Sequence, residues 1–181
     1  MARTEFTIAG VGGQGSILAG VILGTAAVTY AAKYAVQTQS YSAQQRGGFA
    51  AAWVIISDKP VVFPRVTCPD LLIAQAQDSI DRFAHTVKPD GALIVDSDMV
   101  TDTPENIKRI FKVPATSIAR NRLKAPVTMN MVMLGALCEV TGVLRPEALE
   151  KAIQDAVPKG KGQLNLDAFY LGMESARVDR G

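Results

Sequence analysis

Gly10-Val11-Gly12-Gly13-Gln14-Gly15-Ser16 is the stretch whose residue types and spacing are best suited to chemistry. Gly12, Gly13 and Gly15 let backbone amides approach a ligand closely, and a helix starting at Gly15-Ser16 offers N–H groups with no acceptor of their own. Such a place favours phosphate or carboxylate, and Ser16 adds a hydroxyl. Gly10, Gly12 and Gly15 give the spacing G-x-G-x-x-G, with Gln14 as an unusual insert. No Gly-Lys-Ser/Thr ends the loop, so it is not a Walker A motif. An acidic residue about 20 positions on, the usual ribose anchor for NAD, is also absent. Binding of a phosphate-bearing ligand and a purely structural tight turn are both open. Arg46-Gly47-Gly48 is the second candidate. An arginine beside two glycines in a polar loop can aim its guanidinium at an anion, or sit solvated on a surface turn.

Reactive side chains are scarce otherwise. Cys68 and Cys138 are the two cysteines and His85 the one histidine. An iron–sulfur cluster usually takes about four thiolates, a zinc site needs more ligands than these, and any histidine triad would hang on one residue. No catalytic or metal-ligating residue is therefore assigned, and most reacting groups are expected to sit elsewhere. His85 reads as a helix-end residue favoured by the helix dipole. Asp96 and Asp98 read as a cap and a turn. Met131 and Met133, beside Asn130, read as core or interface filling. Lys159 and Lys161 read as solvated.

The elements around these residues follow from pattern. Glu5–Gly10 is a short buried strand and Ser16–Tyr30 a helix rich in small residues, the opening of a Rossmann-like unit. Ala35–Thr38 is a second strand, Gln39–Gly48 a polar loop, and Phe49–Ser57 a strand whose hairpin partner is expected at Val61–Phe63. The apolar runs Leu71–Ala74 and Ala92–Val95 suit parallel strands covered on both faces, and Ile110–Val113 an edge strand. Helices are expected at Asp78–Val87, Thr116–Leu123, Thr128–Val140, Pro146–Val157 and from Asn165 to about Val178, with Pro146 in a first turn and Gly142 at a helix end. The fold class is α/β: a single three-layer Rossmann-like domain over residues 1–181, with a mostly parallel sheet and a helical C-terminal part.

Composition bounds the partners. Of 181 residues, 48% are apolar and 20% charged, which excludes general disorder. Nineteen basic and 17 acidic residues leave a net charge of +2, which gives no support for nucleic-acid binding. The longest apolar run, Ile17–Val28, is too short for a bilayer that takes roughly 20 residues, so no membrane insertion is expected. The N-terminus lacks the apolar stretch of a secretory signal, and the cytoplasm is the expected compartment.

The ordered combination of motifs resembles the gamma subunit of 2-oxoacid:ferredoxin oxidoreductases. It runs from the glycine turn through Leu18-Ala19-Gly20, Gln39-Ser40-Tyr41 and Arg46-Gly47-Gly48. It continues with Ile56-Ser57-Asp58, Pro60, Pro69-Asp70, Val113-Pro114-Ala115-Thr116 and Asn130-Met131-Val132-Met133-Leu134-Gly135-Ala136. The pattern is nearest to the 2-oxoglutarate branch, with pyruvate, branched-chain and aromatic 2-oxoacids as alternatives. Where the family commonly has Tyr-Gly and a glutamate, this chain has Tyr41-Ser42 and Gln44-Gln45. The resemblance implies a subunit of a complex that converts a 2-oxoacid and coenzyme A to acyl-CoA and carbon dioxide, reducing an acceptor such as ferredoxin. It implies that thiamine diphosphate, magnesium and iron–sulfur clusters belong to alpha, beta and iron–sulfur partner subunits. It further implies that Gly12, Gly13, Gln14, Gly15 and Ser16 face coenzyme A, with Arg46 nearby. A free-standing nucleotide-binding protein and a purely structural subunit are the alternatives.

Overall fold

The computed structural model describes residues 3–42 and 48–178. Six strands form one sheet in the order β2-β3-β1-β4-β5-β6. They are β1 (Arg3–Val11), β2 (Tyr34–Tyr41), β3 (Phe49–Ser57), β4 (Leu71–Ala74), β5 (Ala92–Asp96) and β6 (Arg109–Val113). The pairs β1–β4, β4–β5 and β5–β6 are parallel, while β3 runs antiparallel to both of its neighbours. The helices are α1 (Ser16–Thr25), α2 (Gln77–Phe83), the single turn α3 (Ala115–Ser117), α4 (Met129–Thr141), α5 (Pro146–Ala156) and α6 (Gly162–Val178). Wide π-type turns continue α1 to Tyr30 and α3 to Arg122.

Alternation along the strands divides the core into two layers. Phe6 and Ile8 of β1 point to one face, with Val54, Ile56, Leu71, Ile73 and Ile94. That face is covered by α1, α4, α5 and α6 through Ile22, Leu23, Leu134, Leu149 and Phe169. Ala9, Leu72, Leu93 and Val95 point to the other face, where α2 and the segment after β5 supply Ile80, Ala84, Val100 and Ile107. The architecture is three-layered, but the two outer layers are unequal. One face carries most of the helices and the other chiefly α2.

Two elements depart from the sequence reading. Val61–Phe63 forms no strand, and Val62 is 94% exposed. Both edges of β3 are already taken, by β1 and by β2, and Pro60 and Pro64 lack the N–H a ladder needs. The hairpin partner of β3 is instead β2, which runs on to Tyr41 through residues expected to form a loop. An edge strand is held by backbone hydrogen bonds, so Gln39, Ser40 and Tyr41 need no buried side chains. Smaller differences lie at helix ends. The helix after α5 begins at Gly162, and the helix after β4 ends at Phe83, with His85 exposed in a following 3₁₀ turn. Pro146 occupies the first turn of α5, and Gly142 closes α4 in a left-handed conformation.

Candidate functional site

The glycine turn joins the carboxyl end of β1 to α1, where the sheet changes direction of growth. From β1 the chain builds β2 and β3 on one side and then β4 to β6 on the other. The crevice at such a reversal is the usual ligand position in open α/β sheets. Val11 O accepts from Gln14 N–H at 3.1 Å, and the Gly12 amide donates to Gly48 O at 2.7 Å. The turn is thereby clipped to Gly48, just ahead of β3. Arg46 itself lies outside the described residues.

The interior of the turn is closed by side chains. Gln14 Oε1 accepts from Val11 N–H at 2.7 Å, and Gln14 Nε2 donates to Gln75 O at 3.0 Å. Ser16 Oγ donates to Gln75 Oε1, and Ser16 is buried. Gln75 follows the last residue of β4, is fully buried, and ties its own amide to Ala9 O at 2.9 Å. On the other flank, Asn130 Nδ2 donates to Gly15 O at 3.3 Å, while Asn130 Oδ1 accepts from Met131 N–H at 3.0 Å. Space inside is tight: a methyl on Gly10 would overlap Gln14 Oε1, and one on Gly15 (φ 75°) would run into the Asn130 amide.

The outside of the turn is open. Gly12 and Gly13 are exposed, and Gly13 (φ 98°) has nothing within 4 Å of where a Cβ would stand. The first turn of α1 adds the half-buried Ile17 and the exposed Leu18, whose amides have no acceptor within the helix. The arrangement can therefore hold an anionic oxygen with backbone N–H groups and helix polarity. Gln14 and Ser16 shape this cradle from within, and the surface offered to a ligand is backbone.

Gln75 and Asn130 were not legible as parts of the site. Gln75 is a polar residue directly after an apolar strand, and Asn130 an isolated polar group at the head of an apolar helix. The sequence marks both as unusual without saying what they meet. The other candidates behave structurally. Asp96, fully buried, accepts from the Ala115 and Thr116 amides at 3.1 and 3.4 Å and from Thr116 Oγ1 at 2.6 Å. It therefore caps the α3 turn from across the sheet edge. Burial pushes its carboxyl above the ordinary carboxylate range, opposed by the Thr116 hydroxyl. Asp98 accepts from the Ser117 amide at 2.6 Å and from its hydroxyl at 2.9 Å. Cys68 is exposed, Cys138 is buried, and both thiols are free. Among the described residues, no helix is long and apolar enough to cross a membrane.

Known proteins share this fold. Residues 5–175 match the pyruvate ferredoxin/flavodoxin oxidoreductase family. The 2-oxoglutarate synthase subunit KorC of Methanocaldococcus jannaschii is 48% identical over 177 residues, covering 97% of this chain and 95% of that one. The crystal structure of the keto/oxoacid ferredoxin oxidoreductase gamma subunit from Geobacter sulfurreducens superposes with a TM-score of 0.91 at 41% identity, covering 99% of each chain. The 2-oxoglutarate:ferredoxin oxidoreductase from Magnetococcus marinus, solved with 2-oxoglutarate, coenzyme A and succinyl-CoA bound, matches with a TM-score of 0.85 at 25% identity. That match covers 98% of this chain but 32% of the longer one. With a full-length relative at nearly half identity and the fold reproduced end to end, the chain belongs to the pyruvate ferredoxin/flavodoxin oxidoreductase family.

Proposed function

We propose that this chain is the gamma-type subunit of a 2-oxoacid:acceptor oxidoreductase, and that its glycine turn helps to hold coenzyme A. The complex would convert a 2-oxoacid, coenzyme A and an oxidised acceptor to acyl-CoA, carbon dioxide and reduced acceptor, with 2-oxoglutarate the first substrate to try. The likeness to KorC over nearly the full length of both chains carries the reading. Thiamine diphosphate, magnesium and iron–sulfur clusters are assigned to alpha, beta and iron–sulfur partner chains, and the subunit to the cytoplasm. Their chemistry would be decarboxylation and electron transfer.

This chain's own contribution is positional. Coenzyme A is rich in phosphate, and the exposed backbone at Gly13, with the helix polarity at the head of α1, fits such a group. The open space outside Gly13 admits it. Holding the coenzyme in one orientation lowers the entropic cost of bringing its thiol to the acyl donor. Gln14, Gly15 and Ser16 keep the cradle in shape, and Arg46 is assigned to the same anion from the adjoining loop. Exposed Leu18, Val21 and Val28 on α1 and its continuation, beside the sheet edge at β2, suit a docking face for a partner chain.

The test is anaerobic purification of the tagged chain with its partners, followed by coenzyme-A-dependent reduction of a viologen dye by a series of 2-oxoacids. Co-purifying thiamine and iron–sulfur chains with activity on one 2-oxoacid support the reading and name the substrate. A chain that purifies alone with no 2-oxoacid oxidised overturns it. Within an active complex, Gly13→Ala and Arg46→Ala should raise the apparent coenzyme A requirement and leave that for the 2-oxoacid unchanged. Equal effects on both would move the turn from coenzyme binding to assembly.

A further inference from the structure

A cavity of about 440 Å³ lies on the thinly covered face of the sheet, away from α1 and the glycine turn. Its floor is a row across three strands. Thr7 of β1 stands opposite Trp53 of β3, which stands opposite Thr38 of β2, so all three side chains share one face. Phe83 and Thr86, at the end of α2, form one wall, with the Phe83 ring edge-on to Trp53 at 5.9 Å between centroids. The segment before β4 forms the other wall and contributes the exposed Arg65 to the lining.

Two independent features mark this cavity as built for an occupant. Thr7 is 1% exposed, yet its hydroxyl has no hydrogen-bond partner, alone in this among the buried side-chain polar atoms of the described residues. A buried hydroxyl without a partner is costly, and its cost is lifted when a ligand supplies one. Arg65 makes no ion pair among the described residues, and the lining contains no carboxylate. Volume and a mixed aromatic and hydroxyl lining fall within the range of small-molecule sites.

We propose that this cavity binds a small anion carrying a flat aromatic ring. The ring lies against Trp53 and Phe83, the anionic group meets Arg65, and a polar atom of the ligand bonds the Thr7 hydroxyl. A nucleotide and a simple aryl acid share this chemistry. The site is separate from the glycine turn and does not depend on the coenzyme assignment.

Trp53 is the chain's single tryptophan, so the one indole N–H cross-peak in a ¹⁵N–¹H spectrum of the full chain reports occupancy directly. The probes are naphthalene-2-sulfonate and adenosine 5′-monophosphate, with 2-naphthalenemethanol and adenosine as their uncharged counterparts. At least one anion should shift the Trp53 peak saturably and bind roughly tenfold tighter than its uncharged counterpart. Arg65→Gln should abolish that advantage, and Thr7→Val should weaken both members of the pair. The tighter anion separates nucleotide from aryl acid. No saturable shift, equal binding of charged and uncharged probes, or unchanged binding by Arg65→Gln overturns the proposal. So does loss of probe binding on assembly with the partner chains, which would make the cavity part of a subunit interface. Arg65 is exposed, so its replacement tests the site without straining the fold.

Discussion

The two faces of the sheet treat polar groups in opposite ways. At the glycine turn, Gln14, Ser16, Gln75 and Asn130 are enclosed, and each has a hydrogen-bond partner within the chain. What remains open there is backbone. Across the sheet, Thr7 is as deeply buried, but its hydroxyl meets nothing. What remains open there is an aromatic wall and a cation. The difference tracks the covering layers: α1 and α4 bring side chains to the turn, whereas α2 leaves the β1–β3–β2 end of its face uncovered. A satisfied network fixes a shape for a ligand to meet. An unsatisfied one leaves a bond for the ligand to make.

Substitutions should separate the two regions, first by size and then by sign. Gly10→Val places a side chain among Gln14, Gln75 and Ser16. It should cost about 3 kcal/mol in chemical denaturation and remove coenzyme-dependent activity. A loss below about 1 kcal/mol would show that the turn is not tightly closed. Gln75→Ala leaves Ser16 Oγ without its acceptor and should cost about 2 kcal/mol, with Gln75→Glu restoring part of it. On the other face the sign reverses. Thr7→Val keeps the shape, removes the orphan hydroxyl, and should raise stability by about 1 kcal/mol while weakening the Trp53 probes. Destabilisation by Thr7→Val would mean that the hydroxyl is bonded, and the contrast between the faces would collapse.

Two smaller effects sharpen the picture of the frame. The Cys138 thiol is pushed up to about 12, chiefly by burial. One of the two thiols, the exposed Cys68, should therefore react with a thiol reagent in the native protein, and the second only after unfolding. Asp96 titrates above the ordinary carboxylate range because it is buried. Its neutral form is favoured by folding, so its contribution is fully present below the unfolded-state pKa. That contribution is lost as pH rises through the higher folded value. Denaturation midpoints of the native chain and Asp96→Asn should diverge in slope across that window. Parallel slopes would place the carboxyl at its ordinary value.

The family pattern and most of the elements are legible in the sequence because each rests on local signals. Continuous apolar runs mark Leu71–Ala74 and Ala92–Val95, glycine spacing marks the turn, and Pro146 and Gly142 mark helix ends. Val61–Phe63 is apolar and follows a turn, so its local pattern is that of a strand. No local pattern reveals that β3 has both edges occupied. Gln39–Tyr41 reads as a loop for the converse reason, since an edge strand is stabilised by backbone bonds that leave no trace in side-chain type.

Residue order alone carries an α/β chain with a glycine turn ahead of a small-residue helix, and two thiols where an iron–sulfur cluster usually takes about four. Tertiary structure alone decided what closes that turn. Gln75 lies 59 residues from Ser16, and Asn130 lies 115 from Gly15. Packing β4 beside β1 and the head of α4 against the turn brings them together. It also decided that Thr7, Trp53 and Thr38 form one row, because strand register, unlike strand propensity, is a property of pairing. Hydrogen bonds and shared faces between distant residues follow from how the layers stack, and a single residue's type carries no record of its partner.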